Sequence, residues 1–416
     1  MVGDVMNKNW TRWTLTLAAV MSIGFVAGCK SSEEQSGTSG ASTSTSTSSG
    51  STAATGDTIK IGCVASLSGD QKPWGEDSKD GAQMAVEEFN AAGGFNGKKI
   101  ELKVEDSASK PEVAKTAAVK LISDNVIAIV GEVASGHTEQ IALATKDTGI
   151  PVVAIGATRT DLTKGRDNVA RVCYVDDFQG PVMAKFAYEE EGIRKVAIIT
   201  DVKQPYSQGL SESFKQYFFK LGGEVVAELS YQSGDTQFQS QLTDLKQKAP
   251  QGIFLSGYFT EVGPLAAQAR AAGITAKLFG GDGWDSTQIL QSGGDAIIGS
   301  FLCNHYNNKE DRKEIKDFLE KWKSKHNGNE PGTTMAALGY DAMNLTLDAL
   351  KRAKELTPKA LNEAVQNTEN FSGVTGVISL KGHNGNPPKR ALVVEVRPMS
   401  EGFQVFRKAY DYFESK

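Results

Sequence analysis

Ser135, Gly136 and Thr138 fall in "EVASGHTEQIA", directly after the apolar run "NVIAIVG", and open an amphipathic stretch. Hydroxyls and bare amides at a helix N-terminus suit a carboxylate. Taken alone, Ser135 need do no more than cap its helix. Thr158, in "ATRTDL", follows the run "PVVAIG" in the same way and carries the same two readings. Asp282 lies in "GGDGWDS", a glycine-flanked loop where backbone can approach a ligand closely; alone it reads as a turn residue. Tyr258 stands after "GIFLSG", and Trp74 follows "IKIGCVASL" in "SGDQKPWGED". A lone Tyr there serves packing or a lid, and Trp74 sits on a loop that could close over an apolar group. Together, two hydroxyls, backbone amides, one carboxylate and two aromatics could satisfy an α-carboxylate, an α-ammonium and an apolar side chain.

Catalytic patterns fail on spacing. Ser107 and Lys110 match S-x-x-K, and Ser123-Asp124-Asn125 matches S-D-N, but the two lie too close together and no K-T-G follows. There is no G-x-S-x-G and no H-E-x-x-H. The histidines His137, His305, His326 and His383 show no metal spacing, and "FGGDGW" lacks the Lys-Ser/Thr of a P-loop. No metal, no cofactor and no catalysis are expected. The formal charge is −5 and no basic stripe is present, which argues against nucleic acid.

The elements that must hold these residues are legible from periodicity. "IKIGCVASL", "KIELKVED", "NVIAIVG", "PVVAIG", "KVAIITD", "GIFLSG" and "AKLFGG" are short β-branched runs. Amphipathic stretches such as "DGAQMAVEEFNAAGG" and "SQGLSESFKQYFFKLGG" alternate with them and end in Gly or Asn, the residues of a left-handed C-cap. This alternation predicts α/β architecture with parallel sheets covered on both faces. In such sheets ligands bind beyond the carboxyl ends of the strands, where the candidate residues fall. The pattern breaks at "VARVCYVDDFQGP" and restarts at "RKVAIITD", which predicts two doubly wound lobes. A body of about 360 residues, Asp57 to Lys416, is long enough for two cores. A long helix is expected over Thr333 to Ala353, and antiparallel strands joined by a Gly/Asn/Pro turn in "GVTGVISLKGHNGNPPKRALVVEVRP".

The N-terminus describes an export route. Lys8 and Arg12 precede an uncharged run, Trp13 to Gly28, that is short for a membrane span. With Val26-Ala27-Gly28 before Cys29, the segment resembles a bacterial lipoprotein signal, in which Cys29 becomes the first mature residue and carries lipid. From Ser36 to Gly56 every residue is Ser, Thr, Gly or Ala, the composition of a flexible tether. Residues 1–28 are thus expected to be the signal and 29–57 a lipidated linker, placing the body outside the cytoplasm at a membrane.

The body resembles the type I periplasmic solute-binding proteins of ABC importers, specifically the branched-chain amino acid (Leu/Ile/Val) binding proteins. The phrases carrying the resemblance include "IKIGCVASLSGDQKPWGEDSKDGAQMAVEEFNAAGG", "VVAIGATRTDLT", "TDVKQPYSQGLSESFKQYF", "GYFTEVGPLAAQARAAG" and "ALGYDAMNLTLDAL". It implies two lobes on a three-stranded hinge, residues 58–174 with 305–374 and residues 175–304 with 375–416. It implies that Ser135, Thr158 and backbone near Gly156 hold the ligand's main-chain groups. Tyr258 and Asp282 would come from the second lobe, Asp282 taking the ammonium, and Trp74 and Tyr206 would flank the side chain. The family often has Glu where Asp282 stands, so the arm here is one methylene shorter. The family's loop disulfide has no cysteines here in "EDSASK" or "GEVASG". In the family the hinge strands run side by side, so Cys173 and Cys303 are expected to form a bridge, with Cys63 a buried free thiol. The partners implied are a small amino acid and importer permease subunits, with the receptor a monomer. Receptors for an amide, urea or an aromatic acid, a sensory lipoprotein and an extracellular hydrolase on the same frame are the other readings.

Overall fold

The computed structural model describes residues 58–414. Cys29, the export signal and the tether lie outside the described residues.

Strands and helices alternate as the periodicity predicts, and the strands form two main sheets. The first is all parallel, in the spatial order Lys99–Asp106, Thr58–Ala65, Ile129–Val130, Val152–Ala154, Val169–Arg171. The second holds five parallel strands, Glu224–Tyr231, Lys195–Asp201, Gly252–Ser256, Lys277–Gly280 and Phe301–Asn304. Ala391–Val396 and Gln404–Tyr410 extend it antiparallel beside Phe301–Asn304. Ile129–Val130, Val152–Ala154, Gly252–Ser256 and Phe301–Asn304 are buried along their whole length, as parallel strands covered by helices must be.

The strands expected to pair within the C-terminal stretch do not pair with each other. Gly376–Ile378 pairs with Phe371–Gly373 in a separate two-stranded ribbon, while Ala391–Val396 joins the second sheet. The Gly/Asn/Pro segment between them is a crossing between sheets, not a hairpin turn. Its Gly385 carbonyl accepts the Arg171 amide at 3.0 Å, and Lys389 Nζ donates to the Val172 carbonyl at 2.8 Å. The chain thus passes between the two sheets at residues 172–175, 304–312 and 379–390.

Helix Lys72–Ala91 lies against helix Met335–Arg352, which brings a late segment back beside the first sheet. Glycine makes this possible. A Cβ on Gly81 would stand 2.0 Å from the Ala336 carbonyl, and one on Gly339 would stand 2.1 Å from the Ser78 carbonyl. Both backbones approach closer than any side chain permits. Their first turns, carrying Trp74 and Met335, therefore meet at the same end of the first sheet.

The Cys173–Cys303 bridge is not formed. Both residues are buried free thiols, as is Cys63. At the crossing it is Tyr174 that faces the opposing strand, stacking on His305 with ring centroids 4.1 Å apart. Side chains alternate along an extended chain, so Cys173 turns the other way and its thiol approaches the Ala157 carbonyl at 3.4 Å.

Candidate functional site

The site is built from strand ends. Ser135 opens the helix Ser135–Thr145 beyond the strand Ile129–Val130. It does not cap that helix; Ala134 occupies the N-cap position, and Ser135 Oγ accepts the Arg159 amide at 3.2 Å. The loop before it is fixed by Glu132, which is buried. Glu132 Oε1 takes the hydroxyls of Ser66 and Ser107, each at 2.7 Å, and Oε2 takes the amides of Val133 at 2.7 Å and Ala134 at 3.3 Å. Burial opposes the charge of Glu132, but His137 and these hydrogen bonds outweigh it and hold the carboxyl below its usual value. One carboxylate thus ties three strand ends together behind Ser135.

Gly156 follows the strand Val152–Ala154 where a side chain would be crowded. A Cβ there would lie 3.0 Å from both Met335 Sδ and Val133 Cγ1. From the second sheet come Tyr206, in the first turn of helix Pro205–Lys220, and Tyr258, directly before helix Phe259–Ala271. Asp282 comes from the turn after the strand Lys277–Gly280.

These residues line one cavity, which has only about 10 Å³ of room for a water-sized molecule, so its two sides stand nearly against each other. Its walls are Trp74, Val133, Ser135, Gly156 and Met335 on one side and Tyr206, Tyr258, Asp282 and Gly283 on the other. Six of the seven expected ligand-binding residues meet there. The seventh, Thr158, is fully buried and does not line it; its side chain is turned to the Asp176 carboxyl. Trp74 packs edge-on against Tyr258 at 5.1 Å, and Tyr206 stacks on Tyr258 at 5.3 Å, so three aromatic rings form a continuous wall. The Tyr258 hydroxyl, buried in that wall, lacks a partner. Buried polar atoms without partners mark places where a ligand or water completes the bonding.

The polar end of the cavity centres on Asp282. Tyr206 donates its hydroxyl to Asp282 Oδ1 at 2.9 Å and accepts the Gly283 amide at 3.1 Å. His305 Nε2 lies 3.1 Å from Asp282 Oδ2. Behind them Gln179 links two acids, accepting the Asp282 amide at 2.7 Å and donating to Asp176 Oδ1 at 3.0 Å. Burial first, and then the charge on Asp282, push Asp176 well above the usual carboxylate range. Burial first, and again Asp282, push the Tyr206 and Tyr258 hydroxyls up. The first side of the cavity offers the Ser135 hydroxyl at a helix N-terminus, the second a carboxylate, and the wall between is apolar.

The residues 58–402 match a family described as periplasmic binding protein. The chain belongs to this family. Among its relatives is the leucine-, isoleucine-, valine-, threonine- and alanine-binding protein of Pseudomonas aeruginosa, 30% identical over 321 residues, which are 77% of this chain and 85% of that one. The crystal structure of the leucine binding protein LivK from Thermotoga maritima superposes with a TM-score of 0.80 at 35% identity, over 85% of this chain and 99% of that one. The branched-chain amino acid transporter substrate binding protein LivJ from Streptococcus pneumoniae, solved with isoleucine, gives 0.78 at 32% identity, over 85% and 99%. The periplasmic binding protein thus shares its fold with receptors for branched-chain amino acids. Among the described residues no helix is long and apolar enough to cross a membrane, and no cluster of His, Cys, Asp and Glu is placed to hold a metal ion.

Val133, Gly283 and Met335 line the cavity without having been singled out in the sequence. Val133 and Gly283 adjoin flagged strand ends and could have been found there. Met335 opens a helix far along the chain and carries no local signal of its place.

Proposed function

We propose that this chain is an extracytoplasmic lipoprotein receptor that binds a branched-chain or similarly small apolar amino acid between its two sheets and delivers it to an ABC importer. The observation that carries the reading is the single cavity that sets the Asp282 carboxylate opposite the Ser135–Gly156 face, with Trp74, Tyr206, Tyr258, Val133 and Met335 as walls. An α-amino acid matches that order of groups: ammonium at Asp282, carboxylate at the donors, an aliphatic side chain on the apolar wall. The names of the relatives and solved neighbours support the ligand class.

In this reading residues 58–174 with 305–374 form one lobe and residues 175–304 with 375–416 the other, closing about the three crossings. Lipid on Cys29 and the tether hold the receptor at a membrane while the lobes remain free to capture solute and dock on the permease. The test is mass spectrometry of small molecules released when protein purified from its native host is denatured. Leucine, isoleucine, valine or a close relative is the expected release; benzoate-like acids, urea or amides would overturn the reading.

A further inference from the structure

We propose that His305 is a positioning residue for ligand recognition. It holds the Asp282 carboxylate in place for a cationic group of the ligand, and so sets the preference for α-amino acids over acids of the same shape that lack the amine. This deepens the proposed function and rests on it.

His305 directly follows the strand Phe301–Asn304, at the second crossing between the sheets, and is fully buried. Its ring stacks on Tyr174 of the first crossing, centroids 4.1 Å apart and planes 21° from parallel. The stack fixes the plane of the imidazole and thereby the direction of Nε2, which stands 3.1 Å from Asp282 Oδ2. A carboxylate oxygen only accepts, so Nε2 carries the proton and donates. Nδ1 is buried with no partner at all. Asp282 is thus the one hydrogen-bond partner of the ring among the described residues.

The consequence is a buried carboxylate with a donor on each oxygen, Tyr206 on Oδ1 and His305 on Oδ2, and with no Lys or Arg paired to it among the described residues. Donors of this kind fix the orientation of the carboxylate. The cation that completes the pair has to come from the ligand. The shorter reach of an aspartate makes the outcome depend on orientation: a carboxylate on one methylene cannot follow an ammonium across the cavity. Without the His305 donor, Asp282 Oδ2 is no longer held in one direction, and the ammonium loses a fixed partner.

The experiment compares wild type, His305→Phe and His305→Gln with two probes, leucine by calorimetry and isocaproate, which is leucine without its amine, by ligand-observed NMR. Phe keeps a ring to stack on Tyr174 and removes the donor; Gln restores a neutral N–H. The expected result is a loss of about tenfold or more for leucine in His305→Phe, unchanged isocaproate binding, and partial recovery of leucine in His305→Gln. Leucine affinity kept or raised in His305→Phe, or equal losses for both probes, overturns the proposal while leaving the amino-acid reading intact. A wild type that binds no leucine overturns both. Should His305→Phe not fold, nitrogen NMR of histidine-labelled wild type decides the matter. A shift of the His305 Nε2–H on adding leucine but not isocaproate is expected, and no response to leucine overturns it.

Discussion

The indole Nε1–H of Trp74 donates to the backbone carbonyl of Asp285 at 2.7 Å. It joins the first turn of a helix beside the first sheet to the loop that leaves the second. The Asp285 side chain extends the bridge: Oδ2 accepts the Thr334 amide at 2.6 Å and its hydroxyl at 2.7 Å, and Oδ1 accepts Gln404 Nε2 at 2.6 Å. The bonds from Trp74 and Thr334 cross from one side to the other and can exist only while the two sides are together, whereas Gln404 holds Asp285 from its own side. Trp74→Phe keeps an aromatic wall and removes the donor. One neutral hydrogen bond contributes about 1 kcal/mol, so the closed form should weaken and the ligand dissociation constant should rise about fivefold. Calorimetry at one temperature checks this, and an unchanged affinity would show that the bridge does not support closure.

A second acid on the same rim predicts a pH effect on stability. Asp77 Oδ2 accepts the Thr333 amide at 2.7 Å and its hydroxyl at 2.9 Å. Burial pushes the Asp77 carboxyl up to about 7, with smaller pushes from Asp285 and Asp80, against the lowering by the Thr333 hydrogen bonds. An acid whose folded value lies above its unfolded value gives stability that is present below the unfolded value and lost as pH rises through the folded one. Asp77→Asn retains an acceptor for Thr333 and removes the titration. Its melting temperature should match wild type near pH 4 and exceed it progressively up to pH 7.5. A difference independent of pH would contradict the assignment.

The three thiols of the body should be silent in the native protein. Burial, foremost, pushes Cys63 and Cys173 up to about 12 and Cys303 higher still, so almost no thiolate is present to react. A thiol reagent should label none of them before denaturation and all three after it, without reductant. Recovery of one body thiol in place of three would mean that Cys173 and Cys303 are bridged after all.

How much could be read in advance divides along physical lines. Ser135, Tyr258, Asp282 and Trp74 announce themselves because parallel strands deliver whatever follows them to one edge of a sheet, and that rule is local. Thr158 obeys it too, yet its hydroxyl ends up behind the cavity, because the rule fixes a residue's neighbourhood and not its orientation. Met335 escapes because its place depends on two helices touching at Gly81 and Gly339, a contact between segments far apart in the chain. His305 shows no metal spacing and no other local signal; what makes it matter is the ring of Tyr174 and the carboxylate of Asp282, both remote in sequence. The disulfide failed for a similar reason. Cys173 lies at the first crossing and Cys303 in the strand before the second, but alternation along the chain decides which side chain faces across, and here it is Tyr174.

The anchor rests on residues outside the described part of the chain and is tested in cells. Cys29→Ser should abolish lipid labelling and leave the protein as uncleaved precursor or release the mature body into the soluble fraction. A variant that is still labelled and still sediments with membranes would remove the lipoprotein reading.

The central claim is that Asp282 meets the ammonium of an amino acid. Titration calorimetry of leucine into wild type and Asp282→Asn measures it most directly. Truncating one partner of a buried charge pair costs about 2–5 kcal/mol, so the variant should bind leucine at least about thirty-fold more weakly. Equal affinity in the two proteins would contradict the account.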